Sequence, residues 1–113
     1  MLKVKWDDEE WVALIDVYRR SSSMSNIEII AELEKLSVIL NNRAQILNIP
    51  HDEKYRNLNG LKIMFQNIVY VATNGEKGMS STSAAMQKMY LLSKTSPDLF
   101  NEILSDFIAK YGI

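Results

Sequence analysis

Tyr55-Arg56-Asn57-Leu58-Asn59-Gly60 is the stretch of this 113-residue chain with the most specific chemical potential. A guanidinium can clamp a phosphate or a guanine edge, and an asparagine amide offers the paired donor and acceptor that an adenine edge requires. The same residues also suit a purely structural turn. Gly60 permits backbone conformations closed to other residues, and both asparagines can bond to nearby main chain. Asn59 is placed to cap a helix opening at Leu61, and a helix start itself attracts phosphate. A second polar run, Gly75-Glu76-Lys77-Gly78-Met79-Ser80-Ser81-Thr82, joins two glycines, one lysine and three hydroxyls ahead of a helix. It suits phosphate contact but lacks the Gly-x-x-x-x-Gly-Lys-Ser/Thr spacing of a nucleotide loop, so turn formation and capping are its expected roles.

Little else in the sequence could carry catalysis. There is no cysteine, which removes disulfides, thiolate metal sites and cysteine nucleophiles. The single histidine, His51, follows Pro50 and reads as a solvated loop residue. Nothing sets Asp52 and Glu53 across a shared substrate, and no nucleophile, base and orienting group can be assembled. Neither an enzyme nor a cofactor or metal site is expected. The six methionines, among them Met64, Met86 and Met89, read as core filler. No apolar run approaches the ~20 residues of a membrane span, and Met1-Leu2-Lys3-Val4-Lys5-Trp6 lacks a signal-peptide core. A cytoplasmic chain with no membrane partner is the expectation.

Charge is unevenly distributed. The whole chain carries −1, but residues 1–42 sum to −3, residues 43–94 to +4 and residues 95–113 to −2. Phosphate binding depends on local cation density, so the middle segment could hold nucleic acid while the total stays near neutral. An ordinary solvated surface would also account for the clustering.

Positioning these residues falls to helices. Asp7-Asp8-Glu9-Glu10 puts acids at the positive end of a helix dipole, and Trp11, Leu14, Ile15 and Tyr18 follow at helical spacing as one buried face. Trp6, just before the cap, is placed to fold back on the first turn as a staple, with Trp11 in the core. Ser25-x-x-Glu28 is a capping box opening a second helix near Asn26, with Ile27, Ile30, Ala31 and Leu33 facing inward. Ser37 is read as capping a separate helix over Val38 to Leu47, because one helix from Asn26 to Leu47 would exceed the usual length. Leu61, Met64, Phe65, Ile68 and Val71 mark a third face, and Ala84 to Leu91 a further helix. Ser96-Pro97-Asp98 opens the last, whose apolar side is Leu99, Phe100, Ile103, Leu104, Phe107 and Ile108. Residues 1–113 are thus expected to form one all-α domain of five or six short helices.

The Trp6–Trp11 segment resembles the opening of Myb-like helices. More extensively, three elements resemble the N-terminal module of bacterial HNH-type restriction endonucleases: Trp6-x-x-Glu9-Glu10; Leu36-Ser37-x-x-Leu40 with Arg56-Asn57-x-Asn59-Gly60; and Gly78-Met79-Ser80. The similarity spans about residues 6–94. It implies a module that recognises or holds DNA ahead of a nuclease domain. The chain contains no His-Asn-His nuclease, so any cleavage would come from a partner nuclease domain or subunit. On this reading the protein is a non-catalytic DNA-recognition module of a restriction or phage-defence system. Its contacts are Arg43, Lys54, Arg56, Asn57, Asn59, Lys62 and Lys77, with DNA as the partner. The alternative is a small protein-interaction domain, such as an adaptor, a phage-encoded inhibitor or an antitoxin-like partner, meeting its target through exposed Tyr, Trp or Met.

Overall fold

The computed structural model describes residues 4–80 and 82–112. Asp7 caps the first helix, α1 (Asp8–Arg20), in a reciprocal box with Glu10: the Glu10 amide donates to the Asp7 carboxylate at 3.0 Å, and the Asp7 amide to Glu10 Oε1 at 3.1 Å. Trp6 stacks on Trp11 with ring centroids 4.6 Å apart, closing the staple across that cap. A 3₁₀ turn at Ser21–Ser23 leads to α2 (Asn26–Ile46), which opens on the Ser25–Glu28 box. Then follow α3 (Leu58–Ala72), α4 (Ala84–Thr95) and α5 (Pro97–Tyr111). The fold is all-α, without strands among the described residues.

Helix α1 lies at the centre. It touches each of the other four helices, which surround it in the cyclic order α2, α3, α4, α5, each packed on the next. A helix enclosed in this way must be apolar nearly all round. The run Trp11-Val12-Ala13-Leu14-Ile15 is accordingly buried without interruption, and Val17 with it. The single face expected from Trp11, Leu14, Ile15 and Tyr18 is therefore too narrow, and Tyr18 itself is only half-buried.

Helix α2 runs unbroken for 21 residues, with no second start at Ser37. No glycine or proline interrupts it, and Leu33, Leu36, Leu40 and Ala44 keep one buried row through the expected break. The Ser37 hydroxyl instead donates to the Arg56 carbonyl at 2.7 Å, tying α2 to the loop before α3. Of the residues expected inward at its start, Leu33 is buried and Ile30 half-buried, whereas Ile27 and Ala31 face outward. At α3 the cap is Asn57, whose Oδ1 accepts the Gly60 amide at 2.8 Å, so the helix begins at Leu58 instead of Leu61. Asn59 and Gly60 lie inside its first turn.

The loop from α3 to α4 returns tightly over α3. The Met79 amide donates to the Gln66 carbonyl at 3.1 Å, and Gly78 has φ +86°. A Cβ at Gly78 would stand 2.3 Å from that carbonyl oxygen. Gly78→Ala should therefore cost about 1–3 kcal/mol from backbone strain and displacement, read as a lowered urea midpoint at unchanged m-value. A neutral result would mean the loop does not pass this close.

Candidate interaction surface

The two arginines of the central basic segment point into the protein. The Arg56 fork meets Glu10, whose side chain is 1% exposed, with Nε 2.5 Å from Oε2 and a terminal nitrogen 3.0 Å from Oε1. Its remaining donors reach the Val4 and Lys5 carbonyls at 3.2–3.3 Å. The guanidinium packs 4.7 Å from the Trp6 ring and 4.3 Å from that of Tyr55. Backbone geometry serves the same end: Arg56 has φ +48°, an uncommon conformation for a side-chain-bearing residue. Arg56 is a clamp on the start of α1.

Arg43 does the corresponding work from α2. Its guanidinium bonds Asp7 at 2.7 Å and Glu9 at 3.0 Å and packs on the Tyr111 ring. Burial alone would lower its pKa, but the two carboxylates more than offset that and hold it above the ordinary arginine value. Lys88 stands 3.8 Å from Asp8. The four acids of Asp7–Glu10 thus each face a cation.

The other expected contacts are dispersed. Asn57 is committed to its cap. Asn59 and Lys62 are exposed in the first two turns of α3, Lys54 lies in the preceding loop, and Lys77 follows the far end of α3. Ten helical residues separate Lys62 from the end of α3, roughly 15 Å along the axis. The cations that remain exposed thus stand before α3 (Lys54), on it (Lys62), after it (Lys77) and on α4 (Lys88 and Lys94), apart from the two buried arginines. His51 is half-buried, not solvated, with Nδ1 2.7 Å from the Ile49 carbonyl and its ring against Tyr55.

Several aliphatic side chains also stand in solvent. On α2, Ile27, Val38 and Ile46 are 81%, 52% and 62% exposed. Ile27 and Val38 lie eleven residues apart, three helical turns on one face. Ile46 continues the row of Ile39 two turns further on. Ile39 borders a groove of about 260 Å³ between α1, α2 and α5, whose apolar lining includes Leu36, Leu104, Phe107 and Ile108. Along its rim Arg20 bridges Asp16 and Glu32 at 2.9 and 2.6 Å, and Lys35 reaches Glu32 at 3.3 Å. The Arg20 hydrogen bond holds the Glu32 carboxyl below the ordinary range against the opposing effect of burial. The rim's opposite charges are thus matched with one another. On α5, Leu99 and Ile108 are about half exposed, not inward as their helical spacing predicts.

The sequence did contain a sign of this surface. Between Asn26 and Ile46 the apolar residues fall on more sides of the helix than one neighbouring face can cover. No helix among the described residues is long and apolar enough to cross a membrane. No family model matches the chain, and no curated protein or solved structure matches it. The likeness to restriction-endonuclease modules stands on its short motifs alone.

Proposed function

We propose that this chain is a small helical protein-interaction module that meets its partner through the outer side of α2 and the groove between α2 and α5. The observation that carries the reading is an apolar groove whose rim charges neutralise one another, lined by Ile39 and the half-exposed Ile108, with Val38 and Ile46 exposed further round α2. Aliphatic side chains in solvent recover free energy when a complementary surface covers them, and contiguous apolar patches mark interaction sites. The DNA-recognition reading loses three of its expected contacts, since Arg56 and the supporting Arg43 are internal and Asn57 is a cap. The contact residues are aliphatic, in place of the exposed Tyr, Trp or Met first expected.

A photo-reactive residue placed at Val38 or Ile108 in the native host tests the reading, with Lys62 as the control position. The expected result is one discrete protein adduct from both sites and none from Lys62. Ile46→Asp should abolish the adduct while leaving the thermal midpoint within about 2 °C, as for an exposed site. Adducts to nucleic acid, or equal labelling from all three positions, would overturn the proposal.

A further inference from the structure

On the far side of the molecule from the α2–α5 groove, a recess of about 410 Å³ opens where Trp6 and Trp11 meet α3 and the first turn of α4. Its volume lies within the range of small-molecule sites. Three features converge there. The first turn of a helix leaves amides without intrahelical acceptors. Ser83 Oγ takes the Met86 amide at 3.1 Å, while those of Ala84 and Ala85 have no acceptor among the described residues. Lys5, at the rim, has no acidic partner among the described residues, in contrast to the cations that neutralise Asp7, Asp8, Glu9 and Glu10.

The third feature is Asn67. It is 2% exposed, lines the recess, and its Oδ1 has no hydrogen-bond donor among the described residues. Its Nδ2 makes only a 3.6 Å contact with the Met64 sulfur. Leaving a buried amide oxygen unpaired is costly, and the neighbour beside it is a flexible thioether able to yield. A ligand donor that displaces Met64 and meets a turned Asn67 amide would remove that penalty. The helix start and Lys5 together favour a negative group, and the indole edges, their faces taken by one another and by Arg56, favour an aromatic body met edge to face.

We infer that this recess binds a small molecule in which a flat aromatic body carrying a hydrogen-bond donor is joined to a carboxylate or phosphate. The anionic head sits at the start of α4 beside Lys5, the ring meets the indole edges, and the donor reaches Asn67. This site is independent of the α2–α5 surface, and its failure would leave that reading intact.

Both tryptophans of the chain border the recess, so their two indole N–H proton resonances report its occupancy directly. The protein is titrated with indole-3-acetate against indole-3-acetamide, and with adenosine monophosphate against adenosine. The expected result is a saturable shift of the indole resonances with at least one anionic probe, at least about tenfold tighter than with its neutral counterpart. The arm that responds identifies the head as carboxylate or phosphate. Lys5→Glu, at an exposed side chain, should abolish the response. Asn67→Leu should weaken it about tenfold or more, with a dispersed amide spectrum showing that each variant is folded. Equal binding of neutral and anionic probes, silence from both arms at millimolar concentration, or an unaltered response in Lys5→Glu would overturn the inference.

Discussion

Arg56→Ala is expected to destabilise the fold by about 3–5 kcal/mol, the cost of stranding a buried charge without its partner. Glu10 is the charge left behind, 1% exposed and otherwise bonded, among the described residues, to the Asp7 amide and, at 3.5 Å, the Tyr55 hydroxyl. The loss reaches further than one pair. The same guanidinium holds the Val4 and Lys5 carbonyls and packs on Trp6, so the staple over the start of α1 loosens with it. Urea denaturation monitored by Trp6 and Trp11 fluorescence would show a large fall in midpoint. Removing both charges should behave differently: Glu10→Leu combined with Arg56→Met should recover most of the loss, because an apolar pair incurs no desolvation penalty. A surface arginine kept for phosphate contact would change stability by no more than about 0.5 kcal/mol. A small effect of Arg56→Ala would therefore contradict the geometry.

Phe100→Ala should cost a similar amount, about 3–5 kcal/mol. Phe100 is fully buried in α5, the helix that closes the ring around α1. Arg19 of α1 lies over its ring at 4.4 Å, and the Arg19 Nε is buried without a hydrogen-bond partner among the described residues. Truncation leaves a cavity and also removes the aromatic face on which that guanidinium rests. Phe100→Leu keeps most of the volume but not the ring, so comparing the two variants by calorimetry separates packing from the cation–π contribution. Leucine should recover more than half of the loss. Equal destabilisation by both would assign the larger share to the ring's charge distribution.

The helical content was legible because its signals are local. Asp7 and Ser25 cap through side chains three residues from their partners, and Pro97 sits in the first turn of α5. Where a tertiary neighbour decided the outcome, the sequence misled. Ser37 has the residue type of a cap, yet its partner is the Arg56 carbonyl nineteen residues away. Leu99 keeps helical spacing with Ile103, and Ile108 with Leu104, but the core covers a narrower stripe of α5 than the sequence makes apolar. Ile27 went astray for the same reason on α2.

The charge pattern misled through a similar non-locality. Counting placed seven basic residues against three acids between residues 43 and 94, which suggested a phosphate-binding surface. The acids that neutralise Arg43 and Arg56 lie at Asp7, Glu9 and Glu10, more than thirty residues earlier. The acidic N-terminal segment and the basic middle are thus partly halves of one internal arrangement. The Arg56-Asn57-x-Asn59-Gly60 element owes its composition to a clamp, a cap and a helix start. Gly60 there needs no unusual backbone, only room: a Cβ would stand 3.1 Å from the Asn57 oxygen.

The two arginines of the middle segment serve the fold, and on the proposed reading the exposed apolar surface, not the remaining lysines, meets the partner. Backbone amide shifts recorded while a short DNA duplex is added at low ionic strength test that reading most directly. No saturable shifts are expected around Lys54, Lys62 and Lys77. Saturable shifts there that weaken steeply as salt is raised, and that charge reversal of those three lysines removes, would contradict it.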